Sequence, residues 1–381
     1  MNNKYQICTR CVMDSIVEEI IFDENGVCNF CHYFDKNVRS TIQQSQSDKN
    51  GKLLQNIIKI IKNNSKGKKY DCILGLSGGL DSSYLAYLAV NQGLHFLAVH
   101  VDTGWNSKIS EYNVKNVVDK LGLDLEIFNI DWEEMRVLQL AFYKASIKNC
   151  EIPQDHAFLA ALYQIANKYN IQYILLGNNL TTESILPKSW GHNAADLVYF
   201  NAINKRFGNG KLQRYPTLNF WQRYFYYFLI KGIREVCLLN YISYNRATVK
   251  DILIQKIGWQ DYGYKHFESV LTRFFQGYYL PTKFGIDKRR AHLSSLILSK
   301  QLTREEALEE LKKPLYSTEQ LQKDKKYISE KLGITLDEWE NILALPPRND
   351  EEFPSSDMLF KIKDIFVKVF RIKRKTMTSP S

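Results

Sequence analysis

The chain has 381 residues, 45% of them hydrophobic, and carries a net charge of +10. That length allows a large core and two or three domains, and the basic excess suits anionic ligands (ATP, nucleotide sugars, nucleic acid or an acidic partner) without choosing among them. No apolar run is long enough to span a bilayer and MNNKYQICTR holds no apolar signal core, so a cytoplasmic protein without a membrane span is expected.

Seven cysteines occur, four of them as Cys8-Thr9-Arg10-Cys11 and Cys28-Asn29-Phe30-Cys31, with sixteen residues between the pairs. Such pairing suggests metal rather than disulfides. Four thiolates on two short knuckles make a closed tetrahedral site that suits structural Zn2+. A segment this short has too little core of its own, so the metal would hold it. His32 reads as a surface residue. Residues 39–51, RSTIQQSQSDKNG, read as a linker or the start of a helix. Leu53–Ile61 is amphipathic and leads as a helix into the first strand.

The stretch YDCILGLSGGLDSSYLAYLAVNQGLHFLAVHVDTGWN, residues 70–106, carries the chemistry. The apolar runs Tyr70–Leu76 and Leu94–Val101 read as buried strands. Tyr84–Val90 reads as a helix, which makes a βαβ unit. Between the first strand and the helix lies Ser77-Gly78-Gly79-Leu80-Asp81-Ser82-Ser83. Two glycines let the backbone bend tightly, and the amides opening the helix suit an anion. The serine hydroxyls add donors. Asp81 reads as a Mg2+ ligand or a helix cap, because a carboxylate beside phosphate needs a cation between them. A Walker loop would need a lysine after the second glycine, and a dinucleotide fingerprint would need G-x-G-x-x-G; neither is present. SGGLDSS resembles the pyrophosphate-binding loop of the PP-loop ATP pyrophosphatases. These enzymes split ATP between the α- and β-phosphates and adenylate a carbonyl oxygen.

Beyond this unit, Ser107–Leu121 reads as a helix, Leu125–Ile130 as a strand, Asp155–Tyr169 as a helix capped by Asp155, and Ile171–Leu176 as a strand ending in Gly177-Asn178-Asn179-Leu180-Thr181-Thr182-Glu183. Alternating strands and helices imply a parallel sheet with ligands at the strand C-terminal ends. The loops after Leu76, Val101 and Leu176 should therefore meet at one crevice. The superfamily resemblance implies ATP or pyrophosphate binding by Ser77, Gly78, Gly79, Asp81, Ser82, Ser83, His100, Asp102 and Gly177, and Glu183 as a second Mg2+ ligand. The plain alternative for Glu183 is a first-turn acid that offsets the helix dipole.

Asn219–Ile230, NFWQRYFYYFLI, is dense in aromatics. It reads as core or an oligomer interface, which permits a homodimer, rather than as a single-strand nucleic-acid platform. From Thr248 the spacing turns helical, with a turn at Gly258–Gly263 and a helix opening at Tyr264-Lys265-His266-Phe267-Glu268-Ser269. In LPTKFGIDKRRAHLSSLILSKQLTREEALEEL, residues 280–311, Lys283, Lys288, Arg289 and Arg290 cluster beside Asp287, and Thr303 to Glu306 form a capping box. After a loop at 345–357, Leu359–Lys375 is a basic segment with one apolar helical face, at Ile362, Ile365, Phe366, Val369 and Phe370.

The cysteine knuckle, the glycine loop and the segments QDHAFLAALY, GWQDYGYKHFES and KFGIDKRRAHLSSLILS…LTREEAL together resemble the N-acetyl sugar amidotransferases, over nearly the whole chain. This resemblance implies an α/β fold: an N-terminal four-cysteine zinc knuckle (1–38), a parallel-sheet PP-loop (adenine nucleotide alpha-hydrolase-like) domain (50–245) and a helical C-terminal substrate or partner region (246–381). It implies an ATP- and Mg2+-dependent, AMP-forming conversion of an N-acetyl group on a sugar, usually UDP-linked, into an acetamidino group. Surface-polysaccharide and flagellin-sugar pathways use such chemistry. Asp81, Lys283 and Arg289 are then the expected catalytic residues, and Asp287 and Arg290 the expected substrate contacts. Ammonia is expected from a separate glutaminase paired with a cyclase-like barrel. The chain itself offers Asn2 where an N-terminal nucleophile would need cysteine, and Cys72, Cys150 and Cys237 stand isolated. The alternative is a tRNA-thiolating PP-loop enzyme, which would account for the knuckle and the charge but usually carries catalytic cysteines. No nucleic acid is expected as a partner.

Overall fold

The computed structural model describes residues 5–263 and 267–369. Among these, five strands form one parallel sheet: β1 (Cys72–Gly75), β2 (Phe96–Asp102), β3 (Asp124–Asn129), β4 (Tyr173–Leu175) and β5 (Arg234–Val236), in the spatial order β3-β2-β1-β4-β5. Leu74 sits in register with Ala98 on one side and Leu175 on the other. Successive strand residues point to opposite faces, and both faces are covered, which is why the strands read as continuous apolar runs. Ile73, Leu97, Val99 and Ile174 enter one apolar cluster, while Cys72, Leu74, Ala98 and Leu175 enter the other. The chain winds from β1 outward to β2 and β3, then returns to place β4 on the other side of β1. The reversal puts a crevice at the C-terminal ends of β1 and β4.

Helix Leu80–Asn91, helix Lys108–Leu121 and helix Arg246–Ile257 share one face of the sheet. Helix Ile152–Lys168 covers the other. Local chemistry sets the ends. Ser107 accepts from the Ser110 amide to start its helix, and Gly122 closes it at φ 62°. One expectation shifts here. The helix expected from Asp155 begins at Ile152 instead; Pro153 occupies its first turn, where no amide hydrogen is needed, and Asp155 is not its cap. Residues 39–47 of the polar stretch are helical. The three-residue β5 carries two charges and gave no strand signal.

The first cluster runs without a break from the knuckle cysteines through the sheet to Trp339 and Phe353. Val249, Leu253, Ile257 and Trp259 join the second, so packing continues across residues 245 and 246. The aromatic stretch is not core. It forms a π-helix, Gln222–Ile230, in which no residue is buried. Arg223 reaches back to Glu235 at 2.7 Å and Phe220 packs edge-on against Phe360, but Trp221, Phe225, Leu229 and Ile230 face solvent. The expected opening of a helix at Tyr264, Lys265 and His266 lies outside the described residues; the next helix is Val270–Phe274, capped by Ser269. The capping box at Thr303 and Glu306 is present. The C-terminal helix spans Asp357–Val369; the side chains of Phe366 and Val369, and all of residues 370–375, lie outside what is described. Among the described residues no helix is long and apolar enough to cross a membrane.

Buried His156 donates from Nδ1 to the Ala194 carbonyl at 2.7 Å and accepts at Nε2 from the Leu218 amide at 3.1 Å. Burial lowers its pKa. The unfolded chain therefore takes up a proton below about pH 6.5 that the folded chain refuses, and stability falls as pH drops from there toward the depressed value. Urea unfolding at pH 7.5 and 5.5 should show wild type losing on the order of 1 kcal/mol more per pH unit than His156→Gln.

Candidate functional site

The glycine loop follows β1 directly and is held from every side. Gly78 takes φ +80°, and a Cβ there would lie 2.5 Å from the Ser110 carbonyl oxygen. This position requires glycine. Its own carbonyl turns away from the crevice and accepts from Trp259 Nε1 at 3.0 Å and Asn113 Nδ2 at 3.3 Å. Ser110 Oγ donates to the Ser77 carbonyl at 2.9 Å. Within the loop, Ser82 Oγ receives the Ser77 amide at 3.2 Å and lies 3.0 Å from Ser77 Oγ. The Tyr262 hydroxyl accepts from the Leu80 amide at 3.1 Å, and the Tyr244 hydroxyl donates to Asp81. Burial and then the Asp81 carboxylate push the Tyr244 phenol far above its ordinary range, so it remains a donor.

The loop after β4 approaches from the other side of the crevice. A Cβ on Gly177 would press on the backbone of Ser82 at 3.0 Å, so glycine here lets the two loops touch. Asn179 caps the short helix Leu180–Glu183, and Asn178 Nδ2 donates to Glu183 at 3.3 Å. At the end of β2, His100 Nδ1 bonds the Leu76 carbonyl at 2.8 Å. Asn106 Nδ2 lies 3.1 Å from His100 Nε2 and donates to Asp102 at 3.1 Å.

These three strand ends open on one cavity of about 560 Å³. Of the expected nucleotide residues, Ser77, Gly79, Asp81, Ser82, His100, Gly177 and Glu183 line it. Gly78, Ser83 and Asp102 stand behind this wall: Gly78 shapes the turn, Ser83 is fully buried and Asp102 orients Asn106. The carboxylates of Asp81, Glu151, Asp155, Glu183 and Glu268 line the cavity against the cations Arg246 and Lys288. An anionic nucleotide would enter such a site only with a bound cation. Carboxylate oxygens at the glycine loop suit a hard divalent ion, and both Asp81 and Glu183 line the cavity.

Four of the expected catalytic and substrate residues do not line the cavity. Arg289 pairs with Asp287 at 2.7 Å and donates to the carbonyls of Glu310, Leu311 and Lys313. Arg290 pairs with Asp14 at 2.9 Å and donates to the Val12 carbonyl at 2.7 Å and the Tyr5 hydroxyl. Lys283 donates to the Leu343 carbonyl at 3.0 Å, and burial lowers its pKa. These groups tie chain segments together. From the basic cluster Lys288 reaches the cavity, joined by His292 one helical turn on. Sequence reading missed Tyr244, Arg246, Tyr262 and Glu268. The segment GWQDYGYKHFES carried the signal for two of them, since Trp259, Tyr262 and Glu268 fold over the glycine loop.

The four knuckle sulfurs converge in a buried group. Cys8 and Cys31 lie 3.8 Å apart, Cys28 and Cys31 3.7 Å, and Cys11 and Cys28 3.6 Å. A tetrahedral ion with bonds of about 2.3 Å to sulfur separates its ligands by about 3.8 Å. The amides of Arg10, Cys11 and Cys28 point at Cys8 Sγ and would support thiolate charge. The donor set fits Zn2+. Arg304 clasps the knuckle by donating to the carbonyls of Cys8 and Cys11 at 2.9–3.1 Å. Arg290 holds it from the helix Arg289–Leu298, whose His292 lines the cavity.

Gly78→Ala should weaken ATP binding at least ~10-fold by calorimetry, because φ and the Ser110 carbonyl both oppose a methyl there. Cys28→Ser, or chelation of the wild type, should remove protein-bound zinc in elemental analysis and lower the melting temperature by several degrees, since the knuckle's binding energy is folding energy.

Comparison with known proteins agrees with this geometry. Residues 53–216 match the NAD synthase family, and residues 268–367 match the C-terminal domain of WbpG-like lipopolysaccharide biosynthesis proteins. The tRNA-specific 2-thiouridylase MnmA 2 of Fusobacterium nucleatum is 35% identical over 120 residues, 29% of this chain and 34% of that protein. An uncharacterized protein of Methanocaldococcus jannaschii is 28% identical over 178 residues, 45% of this chain and 59% of that one. The chain thus spans less than two thirds of the curated relatives it matches. Among solved structures, the NH3-dependent NAD synthetase of Campylobacter jejuni aligns over 40% of this chain and 71% of its own, at 19% identity and a TM-score of 0.29. Glycine loop, parallel sheet and these two matches together support a PP-loop ATP pyrophosphatase region joined to a WbpG-like C-terminal domain.

Proposed function

We propose that the protein is an ATP-dependent sugar amidotransferase. It activates the carbonyl oxygen of an acetamido group on a sugar, UDP-linked in the simplest case, and replaces that oxygen by ammonia. The observation that carries this reading is the shared cavity. Ser77, Asp81 and Ser82 of the PP-loop face Lys288 and His292 of the WbpG-like domain across one space. A nucleotide held by the first set meets its acceptor at the second.

The acetamido oxygen attacks the α-phosphorus of ATP, the bond to the β-phosphate oxygen breaks, and pyrophosphate leaves. The adenylated imidate then accepts ammonia at carbon. AMP departs with the former amide oxygen, and loss of a proton leaves an amidine. Loop amides, the Ser77 and Ser82 hydroxyls and Lys288 are placed to hold the departing charge. Mg2+ held by Asp81 and Glu183 would supply further charge neutralisation. Positioning supplies the rest, so no protein nucleophile is required. Ammonia would come from a separate glutaminase with its cyclase-like barrel. The knuckle zinc is structural in this reading, and the setting is surface-polysaccharide synthesis in the cytoplasm.

The thiouridylase match favours a second reading, tRNA thiolation. The thiols weigh against it. Cys72 and Cys150 are fully buried, neither lines the cavity, and burial raises both pKa values, that of Cys150 to about 12. Reactive cysteines need exposure and a lowered pKa.

Purified protein with ATP, Mg2+ and ammonium chloride should release AMP and pyrophosphate when offered a panel of UDP-linked mono- and diacetamido sugars. The sugar product should be lighter by the difference between O and NH. AMP formation that instead requires tRNA and a sulfur donor would replace this reading with thiolation. Asp81→Asn should lower AMP release by at least ~100-fold with the melting temperature little changed.

A further inference from the structure

Three side chains on the cavity wall carry N–H groups that no described residue accepts: Gln154 Nε2, Asn179 Nδ2 and Trp190 Nε1. They are 2%, 2% and 5% exposed. A buried donor without a partner costs about 1–3 kcal/mol. Ten other buried side-chain atoms among the described residues also lack a partner, so it is the grouping of these three N–H donors around one cavity that points to a ligand.

The orientation of both amides is fixed by their oxygens. Gln154 Oε1 accepts from Thr103 Oγ1 at 3.1 Å. Asn179 Oδ1 accepts from the Thr182 amide at 3.0 Å and from Thr182 Oγ1 at 3.1 Å. Each NH2 is thereby the end left over. The Trp190 indole can only donate. The three come from separate elements: the first turn of helix Ile152–Lys168, the cap of the short helix Leu180–Glu183, and the 3₁₀ turn Lys188–Trp190. Nothing in the local needs of those elements asks for the free N–H.

The donors are neutral, and apolar Phe158, Ile185 and Leu186 line the same cavity. Phosphate calls for cations, which Arg246 and Lys288 provide elsewhere on the wall. Neutral N–H donors beside apolar carbon match a neutral oxygen that carries a methyl group close by, which describes an acetamido group.

Resting on the amidotransferase reading, we propose that Gln154, Asn179 and Trp190 form the acceptor subsite and bind carbonyl and hydroxyl oxygens of an acetamido sugar. They determine specificity for the sugar and take no part in holding ATP.

The test uses full-length protein with the sugar from the panel that supports AMP release. Trp190→Phe removes the N–H together with the five-membered ring of the indole and keeps one aromatic ring. Asn179→Asp and Gln154→Glu keep the accepting oxygens and remove the donors. Each should raise KM for the sugar roughly 10-fold while KM for ATP stays within about twofold. An unchanged sugar KM in Trp190→Phe and Asn179→Asp overturns the assignment, as does an ATP KM that rises in place of the sugar KM. If no acetamido sugar supports AMP release by wild type, the function itself is misread, an outcome distinct from all of these.

Discussion

The left-handed turn at Gly78 is the constraint on which the rest of the site depends. It lets β1 deliver its chain straight into helix Leu80–Asn91 while the Gly78 carbonyl points away from the crevice. That carbonyl is an acceptor that would repel a phosphate, and it is held out of the way by Trp259 and Asn113. The loop amides and hydroxyls are then left to face the crevice. Anion binding here is as much a matter of removing one oxygen as of supplying donors.

Trp259 and Tyr262 belong to a segment that comes almost two hundred residues after the loop they fix. That segment, just ahead of the WbpG-like region, completes the hydrogen bonding of the PP-loop. The WbpG-like region itself furnishes the opposite wall of the cavity through Lys288 and His292. The knuckle takes part from outside. Arg290 and Arg304 bind its backbone, and Arg290 sits on the helix that carries His292 to the cavity. The four-cysteine knuckle, helix placement and cavity shape are linked by contiguous contacts. Cys72 and Cys150, by contrast, are structural thiols kept neutral by burial.

Much of this was legible in the sequence because the relevant signals are local. The strand–turn–helix at 72–91, the convergence of three strand ends and the four knuckle cysteines follow from apolar runs, glycines and spacing. Of the basic cluster at 283–290 Lys288 lines the cavity while Lys283, Arg289 and Arg290 turn elsewhere, and the reason is physical. A run of Lys and Arg states that anions or carbonyls lie nearby, not which ones. Arg289 and Arg290 spend their forks on Asp287, Asp14 and main-chain carbonyls, partners set by tertiary contact up to 278 residues away. The core half of the reading of the aromatic stretch is the part that did not hold: its π-helical backbone lies at the surface, where Arg223, Phe220, Tyr227 and Phe228 tie it to the rest of the chain. Arg246 and Tyr244 carried no local signal at all.

The clasp of Arg304 on the carbonyls of Cys8 and Cys11 joins points 296 and 293 residues apart. During synthesis the knuckle leaves the ribosome long before the residues that seat it, and all four of its sulfurs lie within residues 8–31. Its docking site does not exist until the helices around Arg290 and Arg304 have been made. Until then the knuckle must persist on an unfinished chain, which a metal bound to its own four cysteines would allow. Such long-range closure slows folding. It also means that a chain cut short before residue 290 would retain the nucleotide loop but have nothing to seat the knuckle against.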